Sequence, residues 1–170
     1  MHFFSEPFYH ITIDDFLHKD LYDTCMQHLD FRWKKDTGNK MREWMTPQLL
    51  EPFDDFVEAT IWPIMEDIYK EPIPWGYHDH RLSWLDPHTS HRGGIHDEEY
   101  NKFYSLVVYI DPVESTGTLL YDENQNFVKE VEWKPNRALL FKGIPKITWH
   151  NYENNTDQVR FTFNSFWRTD

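Results

Sequence analysis

The spacing of apolar residues in this sequence changes once, near residue 74, from a helical to a strand-like pattern. Before that point apolar side chains recur at intervals of three and four residues in two runs, over residues 17–29 and 49–68. After Pro74 the apolar segments are short and are separated by turn residues. Helices followed by many short strands predict a mainly β protein: an antiparallel jelly roll, or double-stranded β-helix, buttressed on one face by the N-terminal helices.

Turn residues such as Asp111 and Pro112 divide the second part of the chain into seven predicted strands. These strands are expected at residues 76–85, 102–110, 117–122, 127–133, 137–142, 147–152 and 159–167. Residues 30–46 are polar and contain a glycine, which indicates a loop between the two helices. Pro63 is expected to kink or divide the second helix, because proline lacks the N–H of a helical hydrogen bond.

The length of the chain favours one compact domain. At 170 residues it lies in the usual range for a single domain. We expect that domain to span residues 1–170, with 1–73 as helical support and 74–170 as the jelly-roll core that carries the functional site. The content of 13 Phe, 9 Tyr and 8 Trp suits a sheet-rich protein, because strands favour bulky aromatic side chains.

The last predicted strand alternates between polar and aromatic residues. Successive side chains of a strand point to opposite faces, so two rows are expected. The polar row suits the lining of a pocket and consists of Arg160, Thr162, Asn164 and Phe166. The aromatic row suits packing beneath the N-terminal helices and consists of Phe161, Phe163, Ser165 and Trp167. By the same parity Ser105, Val107 and Tyr109 share one face of the strand at 102–110.

Four polar residues in the second part of the chain point to a metal site. His96, Glu98 and the distant His150 have the make-up of a facial triad, in which two imidazoles and one carboxylate hold one face of a transition metal. The remaining coordination positions stay open for other ligands. Arg160 opens the last predicted strand, where its guanidinium can bind the far carboxylate of a dianionic cosubstrate through two parallel hydrogen bonds.

Together with Lys102, Tyr109 and the Gly117-Thr118-x-Leu120 step, these residues resemble the ordered signature of the Fe(II)/2-oxoglutarate-dependent oxygenases. The spacings are most similar to the prolyl-4-hydroxylase-like branch, with its small bacterial and phage-encoded members. The resemblance covers about residues 75 to 170. One position departs from the pattern, because the family's ligand is more often Asp. Asp97 has the wrong offset, so Glu98 must serve with one extra methylene.

The resemblance implies a hydroxylase and assigns roles to the motif residues. His96, Glu98 and His150 would hold Fe(II), and 2-oxoglutarate would chelate the metal while its other carboxylate reaches Arg160 and Tyr109. Asn164, in the same polar row as Arg160, is a further candidate for cosubstrate binding. Dioxygen is the second cosubstrate, and ascorbate is an optional reductant. The expected substrates are, in order, a prolyl residue in a protein or peptide, a free amino acid or other small metabolite, and a nucleic-acid base.

Two alternatives to an oxygenase stay open. In a cupin-like metal protein, His78 and His80 would share one strand face and His150 would be the third ligand. That reading leaves Arg160 without a role. A non-catalytic jelly roll could instead bind a sugar or a peptide, since a fold alone does not define an activity. His88 and His91 lie in a loop that we expect at the rim above the metal, and the role of Lys102 is left open.

Composition bounds the partners and the cellular location. The net charge of −12 works against binding to nucleic acid or to an anionic membrane surface, because phosphate contacts need clustered cations. No apolar run is long enough to cross a membrane, and the start of the chain, MHFFSEPF, lacks the pattern of a signal peptide. The single Cys25 cannot form an internal disulfide. We therefore expect a cytoplasmic protein, in the host cytoplasm if the chain is phage-encoded; the sequence does not indicate an oligomeric state.

Overall fold

The computed structural model describes residues 1–32, 42–44, 47–70, 72–91, 94–98 and 101–169. Within these residues the chain forms two helices, α1 (Lys19–Arg32) and α2 (Pro47–Tyr69). The strands of the same residues are β1 (His2–Phe4), β2 (His10–Ile13), β3 (Arg42–Trp44), β4 (Gly76–Leu85), β5 (Thr89–Ser90), β6 (Lys102–Asp111), β7 (Thr118–Tyr121), β8 (Phe127–Val131), β9 (Ala138–Lys142), β10 (His150–Asn154) and β11 (Arg160–Thr169).

These strands form two antiparallel sheets. The larger sheet has the order β1-β2-β9-β6-β11-β4-β3, and the smaller one has the order β5-β10-β7-β8. A compact apolar cluster joins the two sheets through residues such as Tyr109, Leu120, Val131 and Phe141. The predicted jelly roll is thus confirmed. The N-terminal segment supplies strands β1, β2 and β3 to the larger sheet in addition to its helices.

A second apolar cluster packs the helices against the outer face of the larger sheet. α2 contributes Phe53, Val57 and Ile61, all fully buried and spaced four residues apart. The sheet contributes Phe163 and Trp167, so the aromatic row of β11 lies beneath the helices as predicted. Burial of each such side chain contributes about 1.5–3 kcal/mol to folding. The helices are therefore held to the sheet mainly by this apolar face.

The strand boundaries agree closely with the sequence pattern, with two kinds of exception. β10 begins at His150 and not at residue 147, because Ile147 N and Thr148 N donate to Ile144 O in a turn. Strands β1, β3 and β5 were not predicted; β3 lies within the expected loop at 30–46, most of which falls outside the described residues.

The expected division of the second helix is wrong. α2 runs as one helix from Pro47 to Tyr69 with Pro63 inside it. Pro63 is exposed, and its neighbours Ile61 and Met65 are buried in the core. Packing of this apolar face outweighs the hydrogen bond that proline removes. No helix in the described part of the chain is both long and apolar enough to span a membrane.

Candidate active site

A pocket of about 320 Å³ opens between the two sheets, and the polar row of β11 forms part of its wall. It brings together most of the residues that the sequence singled out, namely His96, Glu98, His150, Arg160 and Asn164. Its lining is completed by His91, Asp97, Lys102, Val107, Thr118, Tyr152, Thr162 and Phe166. The pocket therefore joins the triad residues to the arginine in one enclosed space.

Backbone pairing holds the two triad histidines side by side. His96 N donates to His150 O at 3.0 Å, and His150 N donates to His96 O at 2.8 Å. The two imidazole centroids lie 4.3 Å apart. His150 is the first residue of β10, which is held in the smaller sheet by its pairing with β7. The backbone pairing thus holds two residues that are far apart in sequence next to each other.

In both imidazoles the same ring nitrogen, Nε2, has a lone pair that is free to bind a ligand. Nδ1 of His96 lies 2.9 Å from Gly94 O, and Nδ1 of His150 lies 2.9 Å from Thr148 O. Because a carbonyl oxygen only accepts, each Nδ1 carries the proton and each Nε2 is unprotonated in the neutral ring. Burial lowers the pKa of both histidines, that of His96 to about 4. Two neutral imidazoles held in this way are the form that binds a metal.

Glu98 is 2% exposed and is held by two neighbours. Ser105 Oγ donates to Glu98 Oε1, and Lys102 Nζ lies 2.8 Å from Glu98 Oε2. Burial raises the pKa of the carboxyl group, but the attractions of His150, Lys102 and Ser105 outweigh burial and leave that pKa lowered. Glu98 is therefore an ionised carboxylate inside the pocket.

The donor set has the number and type of ligands that a divalent transition metal takes. Glu98 Oε1 lies 3.7 Å from His150 Nε2. Two ligands bound to one ion at about 2.1 Å each lie no more than about 4.2 Å apart, so both atoms can reach a common ion. Two neutral imidazoles and one ionised carboxylate match the facial triad in number and type, with the pocket side left open.

Arg160 is a buried cation with one unused donor. It is 2% exposed, and its Nε donates to Thr116 O at 3.0 Å. Its guanidinium carbon lies 4.8 Å from the ring centroid of Trp133 and 5.5 Å from that of Tyr152. Nη2 is buried and has no hydrogen-bond partner among the described residues. Burial lowers the pKa of Arg160, and an unpaired buried donor is costly, so the site suits an anion.

Tyr109 and Asn164 stand in different relations to the pocket. The Tyr109 hydroxyl donates to Thr118 Oγ1 at 2.8 Å and accepts from Thr118 N at 3.1 Å, which places it behind the lining. Its ring centroid lies 5.7 Å from the Arg160 guanidinium carbon. Asn164 lines the pocket, where Nδ2 donates to Ser83 Oγ at 3.1 Å and the buried Oδ1 has no partner among the described residues. A contact of either residue with a cosubstrate stays a prediction.

The other candidate residues of the sequence are dispersed. His91 lies at the pocket wall, with its ring centroid 4.4 Å from that of His96. His88 is exposed and pairs with Asp157 outside the pocket. His78 and His80 pair instead with Asp54 of α2, so His150 does not join them and the cupin-like ligand set is not formed.

Sequence reasoning missed two aromatic residues beside Arg160, namely Tyr152 and Trp133. Trp133 stacks on Tyr109 with 4.7 Å between ring centroids and covers the Arg160 guanidinium. Trp133 lies two residues after the end of β8, in a stretch without a recognisable motif. Nothing in its spacing distinguishes it from the other seven tryptophans of the chain.

The two sheets and the donor set between them define a jelly-roll protein with a candidate metal site. No family model and no curated protein matches the sequence. Solved structures do match. A Pseudomonas putida prolyl-4-hydroxylase superposes with a TM-score of 0.73 at 12% identity, over 95% of this chain and 92% of that chain.

Two further similar structures come from a virus and an animal. The viral collagen prolyl hydroxylase of Paramecium bursaria Chlorella virus-1, in its 2OG complex, has a TM-score of 0.66 at 14% identity and covers 97% of this chain and 98% of that chain. A Trichoplax adhaerens prolyl hydroxylase in complex with a hypoxia inducible factor peptide has a TM-score of 0.70 at 11% identity, over 94% and 83%. The resemblance to the prolyl 4-hydroxylases is thus confirmed at the level of the fold.

Proposed function

We propose that this protein is an Fe(II)- and 2-oxoglutarate-dependent dioxygenase that hydroxylates an organic substrate, with a prolyl residue in a protein or peptide as the first candidate. One observation carries the proposal. A single pocket holds a two-histidine, one-carboxylate donor set and, on its wall, the buried Arg160 with an unused Nη2 donor. This combination suits a metal ion and a dianion that share one pocket.

In the proposed complex His96, Glu98 and His150 hold Fe(II), and Arg160 binds the distal carboxylate of 2-oxoglutarate. The ion, the carboxylate of Glu98 and the dianionic cosubstrate together carry one net negative charge. The cation of Arg160 offsets that charge in a site where an unpaired ion would be costly. The aromatic rings of Trp133 and Tyr152, against which the guanidinium packs, keep it oriented.

When bound, Fe(II) supplies the chemistry that converts 2-oxoglutarate and dioxygen to succinate and carbon dioxide and adds one oxygen atom to the substrate. The residues of this chain contribute position and exclusion of water. Lys102 Nζ holds Glu98 Oε2, which leaves Oε1 on the side of His150. Gly94 O and Thr148 O keep a proton on Nδ1 of His96 and His150, so that each Nε2 can bind the ion.

The substrate order rests on the pocket wall and on the similar structures. Phe166 supplies an apolar surface against which a pyrrolidine ring can pack. The three similar proteins described above carry names of prolyl hydroxylases, and the Trichoplax protein is bound to a peptide. These observations favour a prolyl residue in a peptide.

One feature of the wall favours a free amino acid as the second candidate. The ring of Phe166 is flanked by the cations of Lys102, Arg168 and Arg81, at 4.4, 5.7 and 5.9 Å from its centroid. These cations are paired, Lys102 with Glu98 and both arginines with Asp79, so a substrate carboxylate would share them as a further anion. A nucleic-acid base ranks last because the chain carries a net charge of −12.

The test is a succinate-release assay with Fe(II), 2-oxoglutarate and ascorbate, read together with the mass of the substrate. Proline-bearing peptides should gain one oxygen atom in step with succinate, and Arg160→Ala should abolish both signals at low 2-oxoglutarate. If succinate release were coupled to oxygen gain in free amino acids but uncoupled from it with every peptide, the order of the two substrate candidates would be reversed. Binding of a peptide without any turnover would favour the non-catalytic module. A cytoplasmic location also stays a prediction.

A further inference from the structure

His78 and His80 lie on the face of β4 opposite the pocket. Residues two apart in a strand share a face, and Leu82, the next member of this row, is buried in the cluster beneath the helices. The His80 ring contacts the ring of Phe53 on α2, with 5.3 Å between centroids. The two histidines and Asp54 of α2 therefore form a polar group between helix and sheet, apart from the candidate active site.

The three side chains converge on one point. Asp54 Oδ1 lies 2.7 Å from His78 Nδ1 and 2.8 Å from His80 Nε2. One ligand atom from each residue lies within 4.8 Å of the other two. Ligand atoms this close together can be brought to about 2.0–2.2 Å from a common ion by small side-chain movements.

Hydrogen bonding and burial fix the two imidazoles. Nε2 of His78 is hydrogen-bonded to the Tyr104 hydroxyl, as is usual for a histidine whose other nitrogen binds a metal. Nε2 of His80 faces Asp54, and its Nδ1 is buried without a partner among the described residues. Because a carboxylate only accepts, the two ring nitrogens that face Asp54 carry protons in the metal-free chain, and an ion would displace them. The side chains of His78 and His80 are 6% and 2% exposed, whereas that of Asp54 is 43% exposed. An ion can therefore enter at Asp54, where water completes its coordination.

We infer that Asp54, His78 and His80 form a second metal site, which binds a divalent transition ion of the Zn(II) type and ties α2 to β4. Imidazole ligands select Zn(II), Co(II), Ni(II) and Cu(II) over Mg(II) and Ca(II), which prefer oxygen. The site does not depend on the proposed oxygenase activity. Because Asp54 comes from α2 and the two histidines come from β4, the complete ligand set exists only in the folded chain, and the ion stabilises that state.

The test is calorimetric titration of Zn(II) into the metal-free full-length chain, together with thermal unfolding with and without Zn(II). The wild type should bind two ions, one at each site. Asp54→Asn keeps an oxygen that can accept hydrogen bonds from both histidines but removes the anionic ligand. It should bind one ion and lose most of the Zn(II)-dependent rise in Tm. Loss of a direct ligand should weaken the affected site by more than about tenfold.

The matched control is Asp55→Asn, which changes the exposed carboxylate next along α2 and should bind two ions. His150→Ala separates the two sites: it should bind one ion if both assignments hold. Two ions in His150→Ala with one in Asp54→Asn would support the second site and contradict the active-site assignment. Two ions and an unchanged Tm gain in Asp54→Asn would overturn the inference and leave a hydrogen-bonded His-Asp-His cluster. Should Asp54→Asn not fold, His80→Gln gives the same comparison.

Discussion

Lys102 Nζ lies 2.8 Å from Glu98 Oε2 inside the pocket, where the two side chains are 10% and 1% exposed. The ammonium group also lies 4.4 Å from the ring centroid of Phe166. Each charge of this buried pair depends on the other, because removal of one partner leaves an uncompensated ion in a medium that solvates it poorly. Lys102 therefore supplies to Glu98, in the metal-free chain, part of the positive charge that a bound metal would supply.

Replacement of the lysine should make folding depend on metal. Lys102→Met keeps the packing on Phe166 but leaves Glu98 unpaired, so the metal-free variant should lose about 3–5 kcal/mol of stability. Saturating Mn(II) should restore part of that loss and raise the Tm of the variant more than that of the wild type. Lys19→Met, which removes an exposed pair with Asp23, is the control and should leave stability nearly unchanged. Equal Mn(II)-dependent shifts in wild type and Lys102→Met would argue against this role.

Arg160→Ala should leave metal binding nearly intact and weaken 2-oxoglutarate binding. Loss of one partner of a buried, bidentate charge pair costs on the order of 3–5 kcal/mol, which is several hundred-fold or more in affinity. The measurement is titration of 2-oxoglutarate into the Mn(II)-loaded chain. Arg160→Lys keeps the charge without the planar fork, and its affinity for 2-oxoglutarate should lie between those of the wild type and Arg160→Ala. A loss of less than threefold in Arg160→Ala would rule out the carboxylate-binding role.

Tyr109→Phe should have a smaller effect on 2-oxoglutarate binding than Arg160→Ala. The hydroxyl is bonded to Thr118 Oγ1 and N, so its loss leaves a buried N–H without a partner and should cost about 1–3 kcal/mol of stability. The affinity for 2-oxoglutarate should fall about fivefold, corresponding to about 1 kcal/mol. A loss as large as that of Arg160→Ala would instead indicate that the tyrosine itself carries the cosubstrate contact.

The assignment of Glu98, and not Asp97, as the ligand can be tested by four substitutions. Asp97 Oδ2 accepts from Lys146 N at 2.6 Å, and an asparagine can keep that bond, so Asp97→Asn should retain metal affinity. Glu98→Gln should lose it. Glu98→Asp retracts the carboxylate by one methylene from Lys102 and Ser105 and should bind metal more weakly while folding normally. If Asp97→Asn abolished binding and Glu98→Gln did not, the motif would have to be shifted by one residue; Asp86→Asn is the control outside the pocket.

Much of the architecture could be predicted because its signals are local. The polar and aromatic rows of β11 alternate with period two, and the structure puts Thr162 on the pocket side and Phe163 beneath the helices. The strand β4 has the predicted bounds because turn residues flank it on both sides. The residues of the triad and Arg160 were found in order because a motif fixes their spacing, and the pocket contains all four.

The features that the sequence did not predict depend on tertiary contacts. The position of Trp133 against Arg160 results from the close approach of two sheets, which no spacing encodes. Strand β1 has three exposed residues and forms only because β2 offers it an edge. The pairing of Asp54 with His78 and His80 likewise follows from the docking of α2 on the sheet, so a partner on another element could not be read from the two histidines.

The most direct test of the proposed function is the visible absorption of the chain with Fe(II) and 2-oxoglutarate in the absence of dioxygen. The account predicts that the wild type takes up Fe(II) in the pocket and turns green-violet when 2-oxoglutarate is added. His150→Ala should remain folded by circular dichroism and develop no colour, because two protein ligands remain in the pocket. His88→Ala, which changes an exposed histidine outside the pocket, should develop the full band. A wild-type protein that stays colourless with both additions, or an equal band in His150→Ala, would contradict the account.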